Sequence, residues 1–504
     1  MKICLEFGKD WSLPHGARIT YAFRLFCAIY GHEPVLTNDG GSSADVCICY
    51  RSRRATGALK PALLLSNLYR PRLLRDPAPP PWKYAQGGEE TVLFYQPLPG
   101  EEPDWLGEIF EWVSCADEYS IEQRDRSGRI PFSATYAGRH NLDIRIPYAA
   151  VAMRFLNRAL CRLMPGAPME PLSPDPTALH FLVSTHDVDY FPVGRLSAVY
   201  RLAKNAVISC LLSKRPMLGI SQAAMALRVA AGGQDPLDQI PFVAGEENDR
   251  GVGASYYFLP RHLDRRDANY TAQEPAVEAM MRRLQALGME VGVHGSYRCL
   301  DDPQGLAEEY GLLREAGFRP EGGRQHWLRF TLDRLIPALE RAGALYDTSI
   351  GWSDRIGFRA AACFAFPPYN FAEERPATFL EIPLAIMDQS LQEGFEAGTD
   401  WSREAASLLS VSRLYGWGGI SLLWHPAAFE GGWLSSEVGE TFWWLMDAAG
   451  QRRDTWSSAC SFVHKVLPRY VEAGLLPAEK ISSAEEVYVE PPHCTEAVEL
   501  GRVS

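Results

Sequence analysis

Phe181-Leu182-Val183-Ser184-Thr185-His186-Asp187-Val188-Asp189 is an apolar run that ends in an imidazole and two carboxylates. It reads as a buried strand delivering acid groups to its own C-terminal tip. Parallel α/β sheets and barrels keep their active sites at that edge, because the loops there vary while the strands hold position. Alternation puts Asp187 and Asp189 on one face and His186 on the opposite one, as a packing or supporting group. Two carboxylates on one face repel unless something positive sits between them, so the tip suggests metal chemistry, with a metal-free carboxylate dyad as the alternative.

Outward from this strand, from Leu179 on, apolar strands alternate with amphipathic helices. Strands are predicted at 181–184, 254–259, 290–293, up to Glu321, 345–348, 379–382 and 420–424, and helices at 276–287, 306–316 and 332–342. Roughly seven β/α units over about 290 residues predict an α/β fold, a deformed (β/α) barrel. A helical insertion, 196–231, follows the first strand. The first ~115 residues predict a smaller α/β unit, with strands at 3–7, 46–50 and 62–66 and a helix at 19–30. Turn signals at Asn38-Asp39-Gly40-Gly41 and Pro77-Ala78-Pro79-Pro80-Pro81 punctuate it. After a helix at 149–163, the Pro-rich joint 165–176 suggests the boundary. The expected domains are 1–170, an N-terminal α/β accessory domain; 171–470, the barrel; and 471–504, a C-terminal tail containing Pro491-Pro492.

Composition narrows the class. With 504 residues, 46% hydrophobic and 22% charged, the chain is a globular protein long enough for more than one domain. A net charge of -12 argues against a general nucleic-acid binder, and Arg51, Arg53 and Arg54 read as a solvated loop. Eleven cysteines without a Cys-x-x-Cys pair point to a reducing compartment, and Cys47 and Cys49 read as one packed strand face. Glu6 interrupts the first apolar run too soon for a signal peptide, and no stretch reaches the ~20 apolar residues of a span, so a cytoplasmic protein without integral membrane association is expected.

The histidines supply partners for the acidic tip. His294 follows a second apolar strand between Gly292 and Gly295, His326 stands in Arg324-Gln325-His326, and His425 ends Ile420-Ser421-Leu422-Leu423-Trp424. Three imidazole or carboxylate ligands with an open position make a catalytic zinc-type site. Such an ion activates water and polarises a carbonyl, while a base and an acid handle the protons. The His186-Asp187 pair also occurs in metal phosphohydrolases, but there the ligands sit on helices.

This arrangement resembles the polysaccharide deacetylase family, carbohydrate esterases with the NodB homology domain, over roughly residues 175–465. Thr185-His186-Asp187-Val188-Asp189 is similar to a Thr-His-Asp-x-Asp variant of the family's first motif. The resemblance implies Asp187 as the base and Asp189 as a metal ligand. The second motif, His-Ser/Thr-x-x-His, is present at His294 but has Arg298 in place of its second histidine, and arginine neither ligates a cation nor loses its charge. His326 is the replacement ligand, giving the metal set Asp189, His294 and His326. Arg324 matches the arginine that orients the base, Asp347 or Asp354 the aspartate that tunes the acid, and His425 the general acid.

The implied function is a hydrolase that removes N- or O-linked acetyl groups from a carbohydrate or glycan precursor. Its cofactor would be a divalent metal ion, zinc first, and its partners would come from a polysaccharide biosynthesis pathway. Two other readings stay open: an amidohydrolase or deformylase on a small non-polymeric substrate, and a carbohydrate-binding or scaffolding protein that lost its metal to Arg298. Trp352, Tyr369 and Phe371 read either as sugar-stacking groups or as loop packing.

Overall fold

The computed structural model describes residues 1–7, 13–36, 44–50, 61–65, 80–86, 88–97, 102–192, 194–395, 398–451 and 454–481. The turn at Asn38 to Gly41, the arginines Arg51, Arg53 and Arg54, Ser66, Pro77 to Pro79 and the tail from 482 on lie outside the described residues.

The first sheet is parallel, in the order Glu33–Leu36, Lys2–Phe7, Val46–Tyr50, Ala62–Leu64. Every residue of Val46–Tyr50 is buried. Cys47 and Cys49 pack with Cys4 and Ala44 in a small apolar cluster. An antiparallel ribbon, Trp82–Gln86 with Glu89–Leu93, and the helices Trp105–Val113 and Tyr148–Leu163 complete this part. Its core continues without a break into the rest of the chain. Tyr369 packs edge-on against Tyr21 and Phe110, and Phe371 joins them, so Tyr369 and Phe371 are packing residues and not a sugar platform. Trp352 is likewise buried, against Phe132 and Ile144.

The second sheet is the curved, all-parallel wall of a (β/α) barrel. Its order is Gly323–Gln325, Glu290–Gly295, Ser255–Phe258, His180–Val188, Gly418–Leu423, Leu384–Met387, and Asp454–Ser457 pairs with the first half of His180–Val188. A parallel pair, Tyr346–Asp347 with Leu380–Glu381, continues the curvature, with Thr348 N–H donating to Gly323 O at 3.0 Å. All nine residues of His180–Val188 are buried, the signature of a strand covered on both faces. Two places demand glycine. A β-carbon on Gly323 would lie 1.8 Å from the Val293 carbonyl oxygen, and Gly418 and Gly419 take positive φ (81° and 84°) where the register against Phe181 and Leu182 slips by a residue.

Because all the strands run the same way, their C-terminal ends meet at one rim. The insertion forms two packed helices, Arg195–Leu211 and Pro216–Ala230. Strands Leu384–Met387 and Asp454–Ser457 were not evident from the sequence, and the strand expected to end near Glu321 lies instead at Gly323–Gln325. No helix among the described residues is long and apolar enough to cross a membrane.

Candidate metal centre

Five strand ends contribute to the rim: Asp187 and Asp189 from the first, His294 from Glu290–Gly295, Arg324 and His326 from Gly323–Gln325, Asp388 after Leu384–Met387, and His425 after Gly418–Leu423. Asp189, His294 and His326 come together with one ligand atom each within 4.8 Å of one another. Their hydrogen bonds dictate what they offer. His294 Nδ1 lies 2.9 Å from Arg324 O, and His326 Nε2 lies 2.8 Å from Arg266 O. A carbonyl oxygen only accepts, so both ring hydrogens are committed there.

That leaves the lone pairs of His294 Nε2 and His326 Nδ1 facing each other at 2.9 Å, with Asp189 Oδ1 at 3.2 and 3.4 Å from them. Asp189 Oδ1 is buried and receives no hydrogen bond. Three electron-rich atoms packed this closely, out of water, repel unless a cation sits among them. Without a metal ion, a proton is the other charge that relieves this repulsion, and the titration tendencies are those of an imidazolium–carboxylate pair. Burial opposes charge on His326, but Asp189 overrides it and raises the imidazole; burial likewise opposes ionisation of Asp189, but His326, His294 and His425 hold it well below the usual carboxylate range. The donor set, two neutral imidazoles and a carboxylate, with backbone carbonyls fixing both tautomers, fits a zinc-type ion. Two consecutive non-glycine residues, Trp327 (φ 62°) and Leu328 (φ 51°), sit in the left-handed region just after His326. Each such residue costs about 1–3 kcal/mol, so the surrounding fold is holding this turn, and with it the imidazole, in place.

Asp187 lies beside this cluster, its Oδ2 3.6 Å from His294 Nε2. Its Oδ1 accepts from Arg324 Nη1 at 2.8 Å. Arg324 is itself fully buried and donates to Thr348 O, Thr185 Oγ1 and Ser421 Oγ. Burial raises the Asp187 carboxyl, and Arg324 and His294 more than offset this and keep it low.

His425 presents Nε2 to the site, 3.5 Å from Asp189 Oδ2, while Nδ1 donates to Asp388, 3.0 Å from both of its oxygens. Asp388 also accepts from the His425 backbone N–H at 2.7 Å. Burial alone would lower this imidazole; Asp388, then Asp189 and Asp187, instead raise it to about 9. The aspartate serving His425 is therefore Asp388, not Asp347 or Asp354. Asp347 accepts from Ser349 and shares a buried site with Glu381, and Asp354 pairs with Arg355 at the surface. Asp388 had the same signal as the first strand tip, an apolar run, Leu384-Ala385-Ile386-Met387, closing on a carboxylate.

Arg298 turns away from the centre, exposed, with Nε 3.0 Å from Asp264. His186 points behind the strand, between Trp424 O at 2.6 Å and Glu247 at 2.9 Å. Glu247 is fully buried, accepts also from Ser184 and Tyr256, and was not singled out in the sequence.

A cavity of about 200 Å³ opens over Asp187, Asp189 and His425. Its walls are Tyr190, Leu237 and Trp433 with Tyr200, Arg201, Lys204 and Asn205 of the inserted helix. The cavity thus has carboxylates and an imidazole on its floor and cationic side chains on one wall.

No protein-family model matches the sequence, and no curated protein matches it. Among solved structures, the crystal structure of Puue allantoinase is similar at 14% identity over 60% of this chain and 95% of that chain, with a TM-score of 0.39.

Proposed function

We propose that this protein is a divalent-metal hydrolase that removes an acyl group from nitrogen or oxygen on a compact, carbohydrate-type substrate. The observation that carries this reading is the convergence of His294 Nε2, His326 Nδ1 and an Asp189 oxygen within 4.8 Å of one another, while the other nitrogen of each ring faces a backbone carbonyl. Those three residues would hold the ion, zinc first, which supplies Lewis acidity and a nucleophilic water near neutral pH.

The other residues divide the proton work. Asp187 is fixed by Arg324 through Oδ1, so Oδ2 is left to take the proton of the attacking water. His425, kept protonated by Asp388, gives its Nε2 proton to the departing amine or alkoxide. A base held low and an acid held high at one centre is the division that hydrolysis of an amide or ester needs.

The cavity favours a compact substrate over a long polymer, because the inserted helix walls one side. That same enclosure supports a second reading, an amidohydrolase or deformylase acting on a small amide. The inactive, metal-free reading loses its motive, since Arg298 is engaged with Asp264 outside the centre.

The test is metal analysis of the purified protein and of Asp189→Ala and His294→Ala, together with acetate or formate release from N-acetylglucosamine, a chitin oligomer and a small N-formyl amide. About one ion per chain in the parent, lost in both variants along with turnover, supports the assignment. Unchanged metal content in the variants rejects it, and release only from the amide selects the second reading.

A further inference from the structure

The inserted helices combine two properties. First, they leave large apolar side chains in water. On Arg195–Leu211, Leu196 (87% exposed), Tyr200 (72%), Val207 (57%) and Leu211 (73%) fall at helical spacing along one stripe. On Pro216–Ala230, Met217 (77%), Ile220 (60%) and Leu227 (74%) do the same. The opposite faces are already used: Ala198, Leu202, Ala226 and Val229 pack together, Ser209 Oγ donates to Gln222, and Asn205 and Gln222 tie the pair to the backbone of Gly432. The stripes are therefore a second apolar surface, beyond what folding needs. Monomeric proteins rarely expose such continuous patches unless something covers them.

Second, the charge is one-sided. Between Arg195 and Gln234 there are six cationic residues and no acidic one, in a chain whose net charge is -12. Arg201 is turned onto the Tyr190 ring and Arg215 donates to Gln392 O, but Arg195, Lys204, Lys214 and Arg228 stand exposed. Apolar stripes flanked by Lys and Arg are the composition of helices that lie in a bilayer interface and prefer anionic lipid.

We propose that this helical pair docks the protein on an anionic membrane surface. A second copy of the chain fits the patch less well, because a symmetric contact between two such pairs would bring like charges together. Tyr200 and Lys204 belong both to the exposed face and to the cavity wall, so docking sets the mouth of the cavity at the lipid headgroups. Binding requires no turnover, so this inference stands or falls apart from the reading of the metal centre.

The test is flotation of the full chain with phosphatidylcholine vesicles and with phosphatidylcholine vesicles containing phosphatidylglycerol. Its controls are the variants Leu211→Ser/Met217→Ser and Lys214→Glu/Arg228→Glu, with circular dichroism to show that they fold and light scattering to give the oligomeric state. Flotation is expected with the anionic vesicles only, weakening at high salt. Partitioning should fall in both variants, roughly fivefold or more for each cation reversed. Equal flotation with both lipids, no flotation, or flotation indifferent to both variants overturns the proposal. So does a dimer that becomes monomeric in Leu211→Ser/Met217→Ser without lipid binding, which assigns the face to a second copy.

Discussion

Replacing Arg324 by methionine removes a guanidinium that has no exposed side-chain surface and lies 2.8 Å from Asp187, itself only 4% exposed. Methionine follows the aliphatic stem, so the loss is chiefly electrostatic: Asp187 is left as a buried carboxylate with its main counter-ion gone. Removing one partner of a buried pair costs about 3–5 kcal/mol. Replacing both, Arg324→Met with Asp187→Leu, removes the stranded charge, so the double variant should cost well under the sum of Arg324→Met and Asp187→Leu measured singly, by about 1–3 kcal/mol of coupling. Urea unfolding followed by tryptophan fluorescence gives these differences as shifts in midpoint.

The pH dependence adds a sign. In the parent, Asp187 is held below its ordinary value, so the pair's contribution is present above the unfolded carboxylate pKa of about 3.9 and is lost only as pH falls through the lowered native value. In Arg324→Met the carboxyl takes up its proton at higher pH, so the stability deficit should shrink between pH 7.5 and 5. Turnover should be absent in single and double variants alike. A deficit below about 1 kcal/mol, or strict additivity across the cycle, refutes the account of Arg324 as the buried counter-ion that positions Asp187.

Asp388→Asn takes away the main cause of the raised His425 imidazole, so the alkaline fall in kcat, expected near pH 9 in the parent, should move down toward the ordinary imidazole value of about 6.5; an unmoved limb would remove His425 as the acid. Arg298→Ala should leave metal content and turnover unchanged and alter stability by less than about 1 kcal/mol, since Arg298 is more than half exposed and Asp264 keeps Arg266 as a partner. Glu309, which accepts from the Ser296 backbone and hydroxyl behind the His294 loop, is raised by burial from 4.5 to about 7. Its folded value exceeds its unfolded one, so its contribution is full below pH 4.5 and lost as pH rises through 7. Thermal melts of Glu309→Gln should therefore gain on the parent across that window, by on the order of 3 kcal/mol at most.

Most of the barrel strands were legible because each is a short apolar run bounded by turn signals and followed by a helical period. The strand tips were legible for the same reason: a carboxylate or imidazole placed directly after such a run has little reason to be there except at an active rim. Leu384–Met387 was hidden because it follows Leu380–Glu381 after only two residues, so the two read as one apolar stretch, and Asp388 went unnoticed with it. The partner of His425 could not be found by motif order, since Asp347 and Asp354 occupy plausible places in the chain and lie on other contacts in space.

By itself, the order of residues determined the alternation of strand and helix, the buried character of His180–Val188 and the presence of acids and imidazoles at strand ends, because these depend on periodicity and local polarity. Only the tertiary structure decided which nitrogen of His294 and of His326 is left bare, that Asp388 and not an earlier aspartate holds His425, and that Arg298 faces Asp264. Those outcomes depend on carbonyls and carboxylates dozens of residues away in the chain, which reach the rim only when the parallel sheet curves and brings its C-terminal ends together.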